Sequence, residues 1–223
     1  MKHTLALIIA LFLADACVGA DLTPAEFVAD ITARGGRTRS DDTLPGKPVV
    51  NIDLHRVAIT DADLAHLSKF PECHTLDLSF TKITDEGLKE VAKLKNLRQL
   101  ALHGTKVTDV GLKHLAEMKS LRTLFLAQTA ISDEGLKYLA GLTDLDGLEL
   151  DHTQVTDTGL EHLRGMTKLR RLELGHTRIS DAGIKHLEGL KNLRTLDLFR
   201  TKVTATGFIA ARKALPETRV TGD

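Results

Sequence analysis

Carboxylates and imidazoles crowd one stretch of this sequence: Glu149, Asp151 and His152, then Glu173 and His176. Histidine nitrogens and carboxylate oxygens are ordinary ligands of a divalent metal, so a hydrolytic metal site is the sharpest chemistry the set suggests. No short ligand spacing accompanies it, and a solvated polar surface accounts for the cluster without an ion. The sequence carries no nucleophile paired with a base and no glycine-rich phosphate loop. An enzyme, a cofactor and a resident metal are therefore not expected. A second signal is aromatic: Phe80, Phe125 and Phe199 stand among polar neighbours, as binding anchors do, although single exposed apolar residues are also ordinary.

The elements that carry these residues repeat. An aliphatic residue recurs as Ile52, Leu76, Leu100, Leu124, Leu148, Leu172 and Leu196, each 24 residues after the last, with nothing inserted or lost. A short unvarying period marks supersecondary units that cannot bury an apolar side alone and must stack into a solenoid. Within one unit, Leu76 and Leu78 alternate with polar residues, which predicts a short strand with both side chains on one face. Leu88, Val91 and Leu94 then follow at helical spacing. Thr84 is a plausible N-cap, and Asp85 and Glu86 suit the positive end of a helix; the Thr/Ser-Asp pair returns at 108–109, 132–133, 156–157 and 180–181.

The run Leu97-x-x-Leu100-x-Leu102-x-x-Thr105-x-Val107 resembles the leucine-rich repeat signature. The resemblance covers roughly residues 49–220 and implies an α/β solenoid: a horseshoe with a parallel concave β-sheet and helices on the convex side. Where that family usually has Asn or Cys, this chain has Thr81, Thr105, Thr129, Thr153, Thr177 and Thr201, whose hydroxyls still permit a ladder of loop hydrogen bonds. The Thr-x-Ile/Val-Thr-Asp-x-Gly-Leu form looks most like secreted repeat proteins of planctomycete bacteria. It is also similar to the repeat arrays of F-box proteins, which would imply a ubiquitin-ligase adaptor. Residues 21–48 are too short for that adaptor's helical module.

Lys2 and His3, the apolar run from Leu5 to Leu13 and the small residues Val18-Gly19-Ala20 predict a signal peptide over 1–20, too short an apolar run to span a bilayer. A rival reading has Cys17 lipidated as a membrane anchor. Either way the mature chain is expected to be secreted or held in the periplasm or cell envelope. Residues 21–48 read as an N-terminal cap whose helix opens at Thr23-Pro24-Ala25-Glu26 and ends at Gly35-Gly36. Seven repeats over 49–219 and a C-terminal edge at 220–223 follow. Cys73 occupies a leucine column and should be a buried free thiol. Arg98, Arg122, Arg170 and Arg194 form a column expected to make ladder ion pairs with Asp146 between them.

The recurring glycines 87, 111, 135, 159, 183 and 207 disfavour a helix, which suggests close backbone approach or positive φ. The first repeat breaks the column with Asp63, and the last has Ala205 in the Asp column. Lys+Arg and Asp+Glu both number 30, so the charge balance gives no footprint for nucleic acid. Function then belongs on the outward strand positions. Counted from each leading aliphatic residue, +1 brings Asp77, Phe125, Glu149, Glu173 and Asp197; +3 and +4 add Phe80, His103, Gln128, Asp151, His152, His176 and Phe199. These twelve are the expected contacts to a partner, either another protein or a cell-envelope polymer.

Overall fold

The computed structural model describes residues 21–222; the predicted leader and Cys17 lie outside them. Among the described residues nine strands form one sheet in strict sequence order. They are β1 (Arg37–Ser40), β2 (Val49–Asp53), β3 (Thr75–Asp77), β4 (Gln99–Ala101), β5 (Thr123–Phe125), β6 (Gly147–Glu149), β7 (Arg171–Glu173), β8 (Thr195–Asp197) and β9 (Arg219–Thr221). From β2 onward every pairing is parallel and in register, Leu76 against Leu100, Leu100 against Leu124, and so on to Leu196 against Val220. The leucines thus stack into one column, fully buried at Leu76, Leu100, Leu124, Leu172 and Leu196. A helical segment returns the chain between strands. Strands stack ~4.8 Å apart while helices need about 10 Å, so the array bends toward its strands and makes the sheet the concave side.

Two of the returning segments, Asp61–Lys69 and Gly159–Leu163, are 3-10 helices, whereas Asp85–Val91, Asp109–Leu115, Asp133–Leu139, Asp181–Leu187 and Ala205–Ala214 are α-helical. Their inward residues, among them Leu88, Leu112, Leu136, Leu160 and Ile184, join the strand leucines in a continuous core. Cys73 lies wholly within that core, and burial pushes its thiol up to about 11. Thr84, Thr108, Ser132 and Ser180 cap their helices, each hydroxyl accepting from the amide two residues on at 3.3 Å.

The threonine column behaves differently from the expected ladder. Each hydroxyl donates to the carbonyl three residues back in its own repeat, for example Thr81 to Leu78 at 2.6 Å and Thr105 to Leu102 at 2.8 Å. It closes its own turn. The ladder between repeats is built by aspartate instead. Asp109 accepts the Ser132 amide at 2.8 Å and the Ser132 hydroxyl at 2.6 Å, and the same pair of bonds joins Asp61 to Thr84, Asp85 to Thr108, Asp133 to Thr156, Asp157 to Ser180 and Asp181 to Thr204.

That clamp explains the glycine column. A Cβ on Gly135 would sit 2.3 Å from Asp109 Oδ1, and equivalent encounters await at Gly87, Gly111, Gly159, Gly183 and Gly207. Close approach is the reason, and positive φ is not, since none of these six has it. Asp63, in the first repeat, has no preceding aspartate to accommodate. Its carboxylate accepts the Thr60 amide and the Arg34 guanidinium at 2.7 and 2.8 Å.

Arg34 follows the helix α1 (Pro24–Ala33), which opens with the expected capping box at Thr23 and Glu26. Phe27 and Ile31 are buried, Phe27 lying 5.5 Å from the Phe70 ring. After Gly36 the chain forms β1, antiparallel to β2, which pattern reading did not anticipate because Arg37–Ser40 has no apolar alternation. It covers the open edge of β2 with arginine-bearing backbone.

Candidate functional site

The outward end of each strand turns through one residue with positive φ: Arg56, Phe80, Gly104, Gln128, His152, His176 and Arg200, at 52° to 59°. This turn aims each amide at the next repeat. Arg56, Phe80, Gly104, Gln128, His152 and His176 donate to the carbonyls of Ser79, His103, Ala127, Asp151, Gly175 and Phe199 at 2.7–2.9 Å. Left-handed backbone favours glycine, yet only one of the seven is glycine. Gly104 is needed for a second reason, since a Cβ there would meet the Phe80 ring at 2.7 Å. The other six positions carry large aromatic, imidazole, amide or guanidinium groups.

In the first repeats the +1 aspartates serve the backbone. Asp53 accepts the His55 amide at 3.0 Å, and Asp77 accepts the Ser79 amide at 2.8 Å. Phe80 is 40% exposed, edge-on to His55 and faced by the Arg56 guanidinium at 5.2 Å. Ser79 Oγ is buried without a hydrogen-bond partner among the described residues. His103 tilts against Phe125, their ring centroids 5.3 Å apart.

From β5 onward the face changes. Phe125, Glu149, Glu173 and Asp197 are direct neighbours across four strands. Burial, and then the Glu173 and Asp151 charges, push the Glu149 carboxyl up to about 7, with Arg171 opposing. Burial and the charges of Glu173 and Asp197 push Asp151 up to about 6 against a pull from the Gly175 backbone. The cations nearby are few. Arg171 Nε lies 3.7 Å from Glu173 Oε1, its guanidinium 5.5 Å from the Phe125 ring centre. His103 Nδ1 lies 3.4 Å from Glu149 Oε1, an ion pair only when that ring is protonated, and burial lowers its proton affinity. Asp197 differs from the two glutamates: it accepts the Thr221 hydroxyl at 2.8 Å and the Phe199 amide at 3.3 Å.

The expected neighbours His152 and His176 do meet, stacked with centroids 3.9 Å apart, and His176 meets Phe199 edge-on at 5.5 Å. Stacking turns their ring faces to each other and leaves the carboxylates of Glu149, Asp151 and Glu173 to converge, one oxygen from each lying within 4.8 Å of the others. That trio is what an oxygen-seeking cation would use, with the remaining ligands of a calcium ion left to water. Gln128 is exposed on the neighbouring turn. Phe199 is 41% exposed beneath the Arg200 guanidinium at 5.4 Å, and Phe125 is half-buried.

Pattern reading missed two features. The left-handed column had only Gly104 as a signal, and Gly175 marks where Asp151 lies across the next repeat, since a Cβ there would come within 2.5 Å of Asp151 Oδ1. The arginine column needs a correction. Arg122 pairs with Asp144 at 2.6 Å, while Asp146 accepts from the Thr123 hydroxyl at 3.2 Å, and Arg98 and Arg170 make no ion pair among the described residues. The backbones of that column, by contrast, make inter-repeat bonds, Arg122 N–H donating to the Arg98 carbonyl and Arg194 N–H to that of Arg170.

Residues 55–211 match a family model described as a leucine-rich repeat region. Among solved structures, internalin C2 of Listeria monocytogenes is similar at 24% identity, with a TM-score of 0.63 over 78% of this chain and 81% of that one. A second internalin of Listeria monocytogenes, inlF, is similar at 21% identity and TM-score 0.53 over 75% of this chain and 51% of that one. A leucine-rich-repeat protein of Leptospira interrogans is similar at 22% identity and TM-score 0.56, over 70% of this chain and 45% of that one. The match therefore spans most of internalin C2 and about half of each of the other two. At these identities the likeness is one of fold. No curated protein matches the sequence.

Proposed function

The chain belongs to the leucine-rich repeat family, and on that premise we propose that its concave strand face is a binding surface for another protein or a cell-envelope polymer. The observation that carries this reading is the left-handed column. Non-glycine residues in such backbone cost about 1–3 kcal/mol each, and here six successive or near-successive repeats hold arginine, phenylalanine, glutamine and histidine where glycine costs least. Folding needs the turn; it does not need those side chains. Phe80, Phe125 and Phe199 add apolar anchors to the same face, and interfaces concentrate their energy in a few such groups. The leader-like residues 1–20 support a site of action outside the cytosol, and among the described residues no helix is long and apolar enough to cross a membrane.

The test is affinity capture from the producing cell's envelope fraction, followed by titration of the captured partner. Phe125→Ala is expected to weaken binding by more than about 1 kcal/mol, while Lys113→Glu on the helix side changes it by no more than a few tenths. Loss through Lys113→Glu with binding intact in Phe125→Ala would place the interface on the other side.

A further inference from the structure

Just before each strand the chain turns in from its helix, and two successive turns carry arginine, Arg98 ahead of β4 and Arg122 ahead of β5. Their backbones are bonded, the Arg122 N–H donating to the Arg98 carbonyl at 2.8 Å, so the two side chains start one strand spacing apart, ~4.8 Å. Like charges held side by side on neighbouring strands are destabilising unless something neutralises them. Arg122 is served: its Nη1 lies 2.6 Å from Asp144 Oδ2 and donates to the Asp144 carbonyl at 3.2 Å. That carboxylate is shared, because the Lys168 ammonium also donates to it at 2.5 Å. Arg98 is not served. Its exposed side chain has no ion pair, hydrogen bond or ring contact among the described residues. Asp146, in the same column, is occupied by the Thr123 hydroxyl.

A second observation is the space between the two arginines. Asn96, Arg98, Ser120 and Arg122 line a cavity of about 410 Å³, within the range that takes small ligands. Its polar groups sort by what they have left to offer. The Ser120 hydroxyl donates to the Leu97 carbonyl at 2.8 Å, and one Asn96 amide hydrogen goes to the Pro71 carbonyl at 3.0 Å. The other Asn96 hydrogen, the whole Arg98 guanidinium and the Nε and Nη2 groups of Arg122 remain as donors. Lysines on the same rim are committed elsewhere: Lys95 and Lys119 donate to the carbonyls of Ala92 and Ala116 at 2.8 and 2.9 Å, which offsets the negative helix ends. The cavity thus presents donors and unshared positive charge, and no carboxylate lines it. A carboxylate has two oxygens in one plane, which one guanidinium fork saturates, whereas a phosphate has three or more oxygens pointing apart, which two forks on neighbouring strands can share. We propose that the cavity between Arg98 and Arg122 binds a phosphate group, either the free ion or a sugar ester. The site lies on the rim ahead of the strands, off the concave face, and does not depend on what that face binds.

The experiment uses the full chain, isotopically labelled, in a phosphate-free buffer, titrated with inorganic phosphate, glucose 6-phosphate, glucose, and sodium chloride at matched ionic strength, each followed by amide NMR. Inorganic phosphate and glucose 6-phosphate are expected to shift the amides of Asn96, Arg98, Ser120 and Arg122 saturably, and glucose and chloride to leave them unmoved. Both phosphates carry the recognised group, and the tighter of the two names the source, a sugar ester or the free ion. Arg98→Gln should weaken the tighter ligand at least fivefold and Arg122→Gln at least threefold. Arg170→Gln removes the same charge from the same column, roughly 14 Å away across three strand spacings, and should change binding less than twofold. Arg98→Gln should melt no lower than the parent, because it relieves repulsion with Arg122, so that lost binding is not lost folding. Absence of a saturable shift with either phosphate, equal shifts with chloride, or undiminished binding by Arg98→Gln would overturn the site. So would a loss through Arg170→Gln as large as that through Arg98→Gln, since diffuse charge along the rim would then account for the binding.

Discussion

Glu149 is a carboxyl whose folded surroundings disfavour its charge, through burial first and the Glu173 and Asp151 charges second. Its folded pKa of about 7 lies above the ordinary 4.5, so the folded chain holds a proton that the unfolded chain releases between those values. The stability that this proton confers is present in full below about pH 4.5 and is lost as pH rises through 7. Glu149→Gln keeps the neutral shape at every pH. It should therefore stabilise the protein at pH 8 by about 1 kcal/mol, allowing for solvent screening of a half-buried group, with the gain shrinking toward zero near pH 4.5. Thermal melts of parent and variant across pH 4.5–8 check this; a gain that is constant with pH, or a loss, would mean the carboxyl is not destabilised by its neighbours. Repulsion among groups 24 residues apart was foreseeable from their shared columns, but which would be half-buried was not: that depends on the Phe125 and Arg171 side chains lying over the strand rather than away from it.

At the scale of the repeat element, the aspartate clamp and the glycine that admits it are one device divided between neighbours. In isolation, Asp109 suits a helix N-terminus and Gly135 weakens a helix; packed together, each explains the other. Gly135→Ala is expected to destabilise by about 1–3 kcal/mol, because its Cβ would displace the Asp109 carboxylate from the Ser132 amide and hydroxyl. Asp109→Ala should cost about 1.5–3 kcal/mol through loss of two hydrogen bonds to a charged group. Made in the Asp109→Ala background, Gly135→Ala should cost far less, since alanine is the better helix former by about 1 kcal/mol and the carboxylate it struck is gone. Denaturant unfolding of the four proteins measures that coupling; strict additivity would show that the glycine answers to something other than the aspartate. The period, the strand register and the cap threonines were readable in the sequence, because alternation and capping act over a few residues. The clamp was not, since its two halves lie in different repeats, and the left-handed column was not, since arginine, histidine and phenylalanine do not advertise positive φ. The loop threonines were misread for the opposite reason: a hydroxyl able to reach a neighbouring repeat had a closer carbonyl in its own.

For the whole molecule, stability is the sum of interfaces between successive layers, and a layer without a neighbour exposes its core. The first repeat meets α1 through Phe27 and Ile31, which are buried against Phe70 and its surroundings, and through Arg34, which bonds Asp63 and the Ala58 carbonyl. The antiparallel β1 then closes the edge of β2. Full burial of two such side chains is worth about 3–6 kcal/mol together, a sizeable part of what holds a domain folded. Deleting residues 21–48 leaves that apolar end and an open strand edge in water at once. The truncated chain should melt several degrees lower, at about 2–4 °C for each kcal/mol lost, and should self-associate in a concentration-dependent way through β2. Arg34→Ala separates the two contributions, because it removes the polar tie to Asp63 while leaving Phe27 and Ile31 in place, and it should cost less than the deletion and cause no association. Calorimetry with light scattering on the three proteins measures both effects. A truncated chain that stays monomeric and melts with the parent would show that the repeats close their own end, and that α1 and β1 decorate the array without sealing it.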